Sequence, residues 1–174
     1  ETIVAPGEQS SLPHCTGNGP VRENEPLVID LFPRDDATGY HTDMTRTVVR
    51  GTPPRDLDEM YKTVLGAFEL ACSIIRPGVS GVSVHESVVD YFRDCGYESG
   101  KRGFTHNLGH GVGLEVHELP SLGVSGEQAL ARGNVVTIEP GLYYEGIGGV
   151  RIEDMGVLTK TGFSSFTRFS KEMV

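Results

Sequence analysis

Four acidic residues lie within or directly after apolar, strand-like segments, where most side chains are expected to be buried. They are Asp30, Asp43, Glu139 and Glu153. A buried carboxylate is costly unless it is paired or coordinates a metal ion. Any one of these acids alone has an ordinary structural explanation, but four of them in similar positions favour a shared cation.

A histidine in a glycine-rich segment supplies a nitrogen ligand for such a site. His110 lies in the segment 109–113, Gly-His-Gly-Val-Gly, and glycine lets the backbone approach a ligand or another strand closely. Four carboxylates and one imidazole suffice for two divalent ions if some carboxylates bridge. Oxygen-rich ligand sets favour Mn²⁺ and tolerate Co²⁺, Fe²⁺ or Zn²⁺. Two such ions about 3.5–4 Å apart activate a shared water in hydrolases.

Hydrophobic patterning predicts the elements that position these residues. Apolar runs and alternation predict strands at residues 2–5, 27–30, 40–49, 135–138, 150–158 and 163–169. Helical periodicity predicts one helix over 56–76, with a capping box from Asp56 to Glu59, and a second from Ser83 to about Cys95. Strands, two helices and further strands predict an α+β fold, mostly an antiparallel sheet with helices on one face.

Composition narrows the classes of protein. The 174 residues carry a net charge of −9, which argues against a nucleic-acid partner because such proteins present a basic face. Apolar runs are too short for a membrane span. Three widely spaced cysteines do not form a disulfide framework, so we expect a reducing, cytoplasmic location. We interpret residues 1–174 as one domain, and the start at Glu1 rather than Met suggests a piece of a longer protein.

Five segments, in this order, resemble the pita-bread metallopeptidase family. They are His14-Cys-Thr; residues 30–47, with Gly-Tyr-His-Thr-Asp-Met-Thr-Arg-Thr at their end; 106–118, His-Asn-Leu-Gly-His-Gly-Val-Gly-Leu-Glu-Val-His-Glu; 137–143, Thr-Ile-Glu-Pro-Gly-Leu-Tyr; and 150–154, Val-Arg-Ile-Glu-Asp. That family contains methionine aminopeptidases, Xaa-Pro aminopeptidases, prolidases and creatinase. The resemblance covers essentially the whole chain and implies a curved, pita-bread sheet.

The resemblance implies a role for each candidate metal ligand. Asp30 would chelate one metal ion, Asp43 and Glu153 would bridge two ions, and His110 and Glu139 would bind the second. A metal-bridging hydroxide would attack the peptide bond, and Glu139 would shuttle the proton.

The resemblance also implies a substrate pocket around the ligands. His117 would orient the substrate and stabilise the tetrahedral intermediate, while His106 and His14 would line the pocket. Tyr143 is a further candidate wall residue. Arg151 lies two residues before Glu153, so on a strand both share a face, and Arg151 is expected to pair with a metal-bound carboxylate.

Two departures from the family pattern affect this interpretation. The turn between Asp30 and Asp43 is longer than usual, and we interpret Asp35 and Asp36 as turn residues rather than ligands. The family also carries elements before the His14 region. We therefore interpret the chain as N-terminally truncated, a C-terminal fragment of a two-domain protein that is a homodimer at full length.

The sequence favours hydrolysis of Xaa-Pro bonds, by an Xaa-Pro aminopeptidase or an Xaa-Pro dipeptidase. The spacing between Glu139 and Glu153 and the run Gly-Leu-Glu-Val-His-Glu-Leu-Pro at 113–120 resemble the proline-specific members. The expected substrate is a peptide or dipeptide with proline in the second position. Two alternatives stay open, a methionine aminopeptidase and a non-catalytic peptide-binding module on the same fold.

Overall fold

A computed structural model describes residues 2–173, and its strands form three antiparallel sheets. In the first sheet, β1 (Thr2–Pro6), β2 (Pro26–Leu31) and β3 (Met44–Val49) lie side by side in this order. A short 3-10 helix, Gly7–Ser11, follows β1. This sheet carries two of the candidate ligands, one on β2 and one directly before β3.

The second half of the chain forms a five-stranded and a two-stranded sheet. The larger sheet contains β4 (Gly109–Gly111), β5 (Glu118–Leu122), β6 (Val135–Ile138), β9 (Asp154–Thr159) and β10 (Gly162–Ser165), in the spatial order β10-β9-β6-β4-β5. The hairpin of β7 (Gly141–Tyr144) and β8 (Gly148–Arg151) forms the smaller sheet.

Two helices cover the sheets and close the core. They are α1 (Arg55–Ile74) and α2 (Gly81–Asp94). Apolar residues three or four apart, among them Met60, Val64, Val88 and Phe92, are buried against strand residues such as Ile138. The predicted α+β architecture, mostly antiparallel with two helices, is confirmed. No helix among residues 2–173 has the length and apolarity that a membrane span requires.

The predicted helix starts lie after the observed ones, by one residue in α1 and by two in α2. Pro54, not Asp56, occupies the position before α1, and Glu59 pairs with Arg55 instead of closing a capping box. In α2 the capping side chain belongs to Ser80, whose hydroxyl accepts a hydrogen bond from the Ser83 amide at 3.3 Å. Each helix therefore begins before the predicted position, because a residue upstream provides the extended N-cap conformation.

Three predicted strands are longer than the observed ones. Residues 40–43 lie outside β3, because the backbone of residues 41 and 42 bonds to Gly113 and Pro33 instead of a sheet neighbour. The predicted strand 150–158 is two strands, β8 and β9, separated at residues 152–153. The last strand ends at Ser165.

Candidate metal centre

The five candidate ligands come from strands and strand ends that meet in one place. Asp30 lies on β2, Asp43 precedes β3, His110 lies on β4, Glu139 follows β6, and Glu153 lies between β8 and β9. At the end of a strand a side chain need not follow the strict alternation of the strand, while the hydrogen bonds of the adjacent strand residues still hold its backbone in place. The sheets thus bring residues far apart in sequence into one site.

The break between β8 and β9 sets the position of Glu153. The Ile152 amide donates to the Pro140 carbonyl at 3.4 Å, and the Glu153 amide donates to the Thr45 carbonyl at 3.0 Å. The chain therefore leaves the hairpin at this point and joins the first sheet before it enters β9. This crossing turns the Glu153 side chain into the site, where the residue is 1% exposed.

Three donors of the site lie close enough together to hold one metal ion. One ligand atom each from Asp43, His110 and Glu153 lie within 4.8 Å of one another. His110 Nε2 also lies 3.1 Å from Glu139 Oε1 and 3.7 Å from Asp43 Oδ2. On the other side of this ring, Nδ1 donates to the Gly111 carbonyl at 3.1 Å. That hydrogen bond leaves Nε2 as the nitrogen that faces the carboxylates.

Asp30 is held by a buried arginine, as the sequence predicted for a carboxylate of the site. Arg151 Nη2 donates to Asp30 Oδ2 at 2.8 Å, and the arginine side chain is 4% exposed. Its other nitrogens donate to the Thr45 and Tyr143 hydroxyls and to the Pro13 carbonyl. Arg151 thus fixes one oxygen of Asp30, a residue that lines the cavity, and leaves the other oxygen free.

The carboxylates crowd each other strongly. Burial raises the pKa of Asp43 to about 8, with the charges of Asp30 and Glu139 adding to the effect. Burial and the same neighbouring acids raise the pKa of Glu153 well above its usual range. Burial also opposes ionisation of Glu139, but the hydrogen bond with His110 prevails and lowers its pKa to about 2. A cluster of this kind attracts positive charge.

Two of the carboxylates keep an unpaired oxygen. Within residues 2–173, Asp30 Oδ1 and Glu153 Oε1 are buried and have no hydrogen-bond partner. Buried polar atoms are rarely left in this state, and carboxylate oxygens beside an imidazole are the donors that divalent first-row metals accept. The residues present therefore fit divalent metal ions.

The cavity beside these donors measures about 630 Å³. Its lining includes nine of the ten predicted site residues: His14, Asp30, Asp43, His106, His110, His117, Glu139, Arg151 and Glu153. His117 stands against His110, with ring centroids 4.2 Å apart. Burial, then the nearby charge of His110, lowers the pKa of His117. The structure therefore brings the predicted ligands and the predicted pocket histidines around one cavity.

Tyr143 differs from its predicted place on the pocket wall. It is 3% exposed and lies behind His106, because its hydroxyl accepts from Arg151 Nη1 at 2.8 Å and contacts His106 Nε2 at 2.9 Å. The other nitrogen of His106, Nδ1, donates to the Asn107 carbonyl at 2.7 Å. Burial lowers the pKa of His106, so the neutral ring accepts from Tyr143. Both nitrogens of His106 are thus engaged within the protein.

Sequence reasoning missed two threonines that hold the ligands. Thr45 Oγ1 donates to Glu153 Oε2 at 2.7 Å and accepts from Arg151. Thr137 Oγ1 donates to Glu139 Oε1 at 3.2 Å and accepts from the His110 amide. Thr137 lies two residues before Glu139, and strand alternation was the signal for that pair. Thr45 holds an acid 108 residues away, and no local pattern indicates this contact.

Comparison with known proteins places the whole chain in one family. The sequence model of metallopeptidase family M24 matches residues 1–160. The Xaa-Pro dipeptidase of Pyrococcus horikoshii is 38% identical over 175 residues, which are 100% of this chain and 48% of that protein. The chain thus spans about half the length of the curated relatives it matches.

Solved structures share the architecture. The prolidase from Pyrococcus horikoshii OT3 gives a TM-score of 0.93 at 39% identity, covering 99% of this chain and 49% of that one. The X-Pro aminopeptidase from Thermotoga maritima gives 0.92 at 37% identity, covering 99% and 48%. The pita-bread fold expected from the sequence is confirmed.

Proposed function

This chain belongs to metallopeptidase family M24, and we propose that it carries the machinery for hydrolysing Xaa-Pro peptide bonds with two divalent metal ions. The observation that carries the proposal is the convergence of Asp43, His110 and Glu153 within 4.8 Å beside a cavity of about 630 Å³. The relatives are named Xaa-Pro dipeptidase and X-Pro aminopeptidase, and these names support the choice of bond.

Five residues would hold the metal ions: Asp30, Asp43, His110, Glu139 and Glu153. When bound, divalent ions of this kind lower the pKa of water towards neutrality and polarise a carbonyl group. Arg151 keeps Asp30 oriented, and Thr45 keeps Glu153 oriented, through hydrogen bonds of 2.8 and 2.7 Å. Such partners fix the geometry of the carboxylates before a substrate arrives.

Glu139 is the group best placed to move the proton. In the metal-free protein the hydrogen bond with His110 lowers its pKa to about 2 against the opposing effect of burial, and the carboxylate is also the form that would bind a metal ion. It would take a proton from the attacking water and deliver it to the proline nitrogen as the carbon–nitrogen bond breaks.

The pocket histidines would then act as neutral groups. Burial keeps the pKa of His117 low, and a neutral imidazole can donate one N–H to the developing oxyanion, an interaction that speeds acyl transfer. His106 has both nitrogens engaged within the protein and lines the cavity, so it would serve as a wall rather than as a proton donor. A proline ring needs such a wall and no partner for an amide hydrogen, because proline has none.

Product analysis by mass spectrometry tests the proposal. The protein, loaded with Mn²⁺, is offered an Xaa-Pro dipeptide, a longer peptide that begins Xaa-Pro, and a Met-Ala peptide. We expect release of the residue before proline, and the preferred length separates dipeptidase from aminopeptidase. Because the relatives are about twice as long, a longer protein that contains this chain is assayed in parallel.

Matched glutamate variants provide the control. Glu139→Gln removes the proton carrier and should abolish cleavage, whereas Glu145→Gln makes the same change at an exposed position and should not. Preferential cleavage of Met-Ala would favour the methionine aminopeptidase. Binding of Xaa-Pro peptides without cleavage, in both lengths of the protein, would favour the peptide-binding module. Manganese as the metal, a homodimer and a cytoplasmic location stay predictions.

A further inference from the structure

A second cluster of charged residues contacts the backbone of Glu153 but does not line the cavity. It consists of Arg46, Asp154 and Lys171, which we call the rear cluster. Asp154 Oδ1 accepts from Arg46 at 2.7 Å, and its Oδ2 lies 2.6 Å from Lys171 Nζ. The Arg46 side chain is 9% exposed and that of Asp154 is 2% exposed. Neither the proposed reaction nor the cavity uses these three residues.

Arg46 uses every donor of its guanidinium. Two bonds go to the chain at the metal site, because Nη1 donates to the carbonyls of Thr45 at 2.8 Å and Glu153 at 2.6 Å. Nη2 binds Asp154, and the remaining two bonds go to the carbonyls of Phe169 at 3.0 Å and Ser170 at 2.9 Å. A guanidinium has five N–H groups in a fixed fork, so all five find acceptors here.

The residues that follow β10 supply the other half of this arrangement. We call residues 166–173 the C-terminal strap. Two carbonyls of the strap accept from Arg46. In addition, the Lys171 side chain pairs with Asp154, and the Lys171 carbonyl accepts from the Tyr61 hydroxyl of α1 at 3.0 Å. Lys171 Nζ also lies 4.8 Å from the centre of the Phe68 ring. The strap is therefore fastened both to α1 and to the back of the metal site.

Resting on the proposed metal role of Glu153, we infer that Arg46 is a positioning residue for that ligand and that the C-terminal strap holds Arg46 in place. At the junction, the Glu153 amide donates to the Thr45 carbonyl, and Arg46 donates both to that carbonyl and to the Glu153 carbonyl. Thr45 in turn hydrogen-bonds the Glu153 carboxylate. Loosening the strap therefore loosens the ligand and weakens metal binding.

Two lysine substitutions make a matched test in the full chain. Arg46→Lys keeps the charge but replaces the five-donor fork by a point charge, while Arg168→Lys makes the same change at an exposed position of the strap. Hydrogen exchange at the Glu153 amide and titration with Mn²⁺ are measured for both. We expect faster exchange confined to the Glu153 junction and at least about tenfold weaker Mn²⁺ binding in Arg46→Lys, and neither change in Arg168→Lys.

A second variant guards against a folding defect. Lys171→Met keeps an unbranched side chain only one atom shorter, removes the ion pair with Asp154 and leaves Arg46 intact, so it should give the same two changes to a smaller extent. Wild-type exchange and Mn²⁺ affinity in Arg46→Lys would overturn the inference. Faster exchange throughout the chain with unchanged Mn²⁺ affinity would also overturn it, because Arg46 would then be merely structural. If the unaltered chain bound no Mn²⁺, the proposed function would fail. Hydrogen exchange at the Glu153 amide would then show by itself whether Arg46 and the C-terminal strap hold the junction in place.

Discussion

Glu153 and Asp154 are neighbours in the chain and each is 1% exposed, yet their surroundings are opposite. Glu153 belongs to the front cluster, with Asp30, Asp43 and Glu139, where acids outnumber cations and two carboxylate oxygens have no partner within residues 2–173. Asp154 belongs to the rear cluster, where each oxygen meets a cation or a hydroxyl, the latter from Ser165 at 2.9 Å.

This contrast separates a buried charge that serves structure from one that serves chemistry. Ion pairing and full hydrogen bonding offset the cost of burying a carboxylate. Crowded and unpaired carboxylates, in contrast, destabilise a protein until a cation binds to them. The rear cluster is complete without any ligand. The front cluster becomes complete only with positive charge, which is the reason to place the metal ions there.

Glu153→Gln gives the largest expected effect. The amide keeps the shape of the side chain but removes a charged ligand, so turnover of an Xaa-Pro substrate should fall by roughly a thousandfold, the scale of losing one transition-state contact. The metal-free protein should become more stable, because the crowding among the front acids is relieved. Turnover and metal-free urea denaturation measure the two effects. A variant that is less stable and still active would contradict the comparison.

Asp154→Asn makes the same chemical change one residue later and should act in the opposite direction on stability. It leaves the buried Arg46 and the partly exposed Lys171 with one carboxylate fewer, and the loss of a buried partner of Arg46 costs about 3 kcal/mol in the free energy of unfolding. Urea denaturation of the metal-free protein, run beside Glu153→Gln, measures the difference. Equal shifts in the two variants would show that front and rear clusters do not differ in their need for charge.

The sequence predicted the front cluster better than the rear one. Asp30, Asp43, Glu139 and Glu153 stand out because each follows or interrupts an apolar strand-like run, and the structure brings all four to one cavity. Asp154 lies in the same run as Glu153, and composition does not reveal that the two acids face opposite sides. That difference arises from the break between β8 and β9, which depends on the bonds of residues 152 and 153 to distant carbonyls.

The sequence also did not predict the C-terminal strap, because the strap is held by bonds to residues distant in the chain. Alternation favours a strand over 163–169, but the carbonyls of Phe169 and Ser170 bond to Arg46 instead of a sheet neighbour. The predicted capping box was wrong for a similar reason, because Asp56 and Glu59 fit the local pattern of a capping box while Pro54 provides the N-cap. Local patterns thus predict elements, and bonds between distant residues set where these elements end.

His85 provides the smallest test, because it is buried and unpaired but lies outside both clusters. It is 8% exposed on α2, packs against Phe104 with ring centroids 5.3 Å apart, and its Nδ1 has no hydrogen-bond partner within residues 2–173. Burial lowers the pKa of His85, and Glu86 offsets this only in part. The unfolded chain therefore binds the proton first, at about pH 6.5.

The sign of the pH effect follows from this order of protonation. The stability that His85 contributes is complete above about pH 6.5 and is lost as the pH falls through the lower pKa of the folded state. His85→Phe keeps a ring against Phe104 and should reduce the loss of stability between pH 7 and pH 5. This change in the free energy of unfolding should be smaller than the changes caused by Glu153→Gln and Asp154→Asn. Urea denaturation at both pH values measures the slope, and parallel slopes would rule out this role. An unpaired buried atom thus indicates a metal site only where like charges converge, as they do at Glu153 and do not at His85.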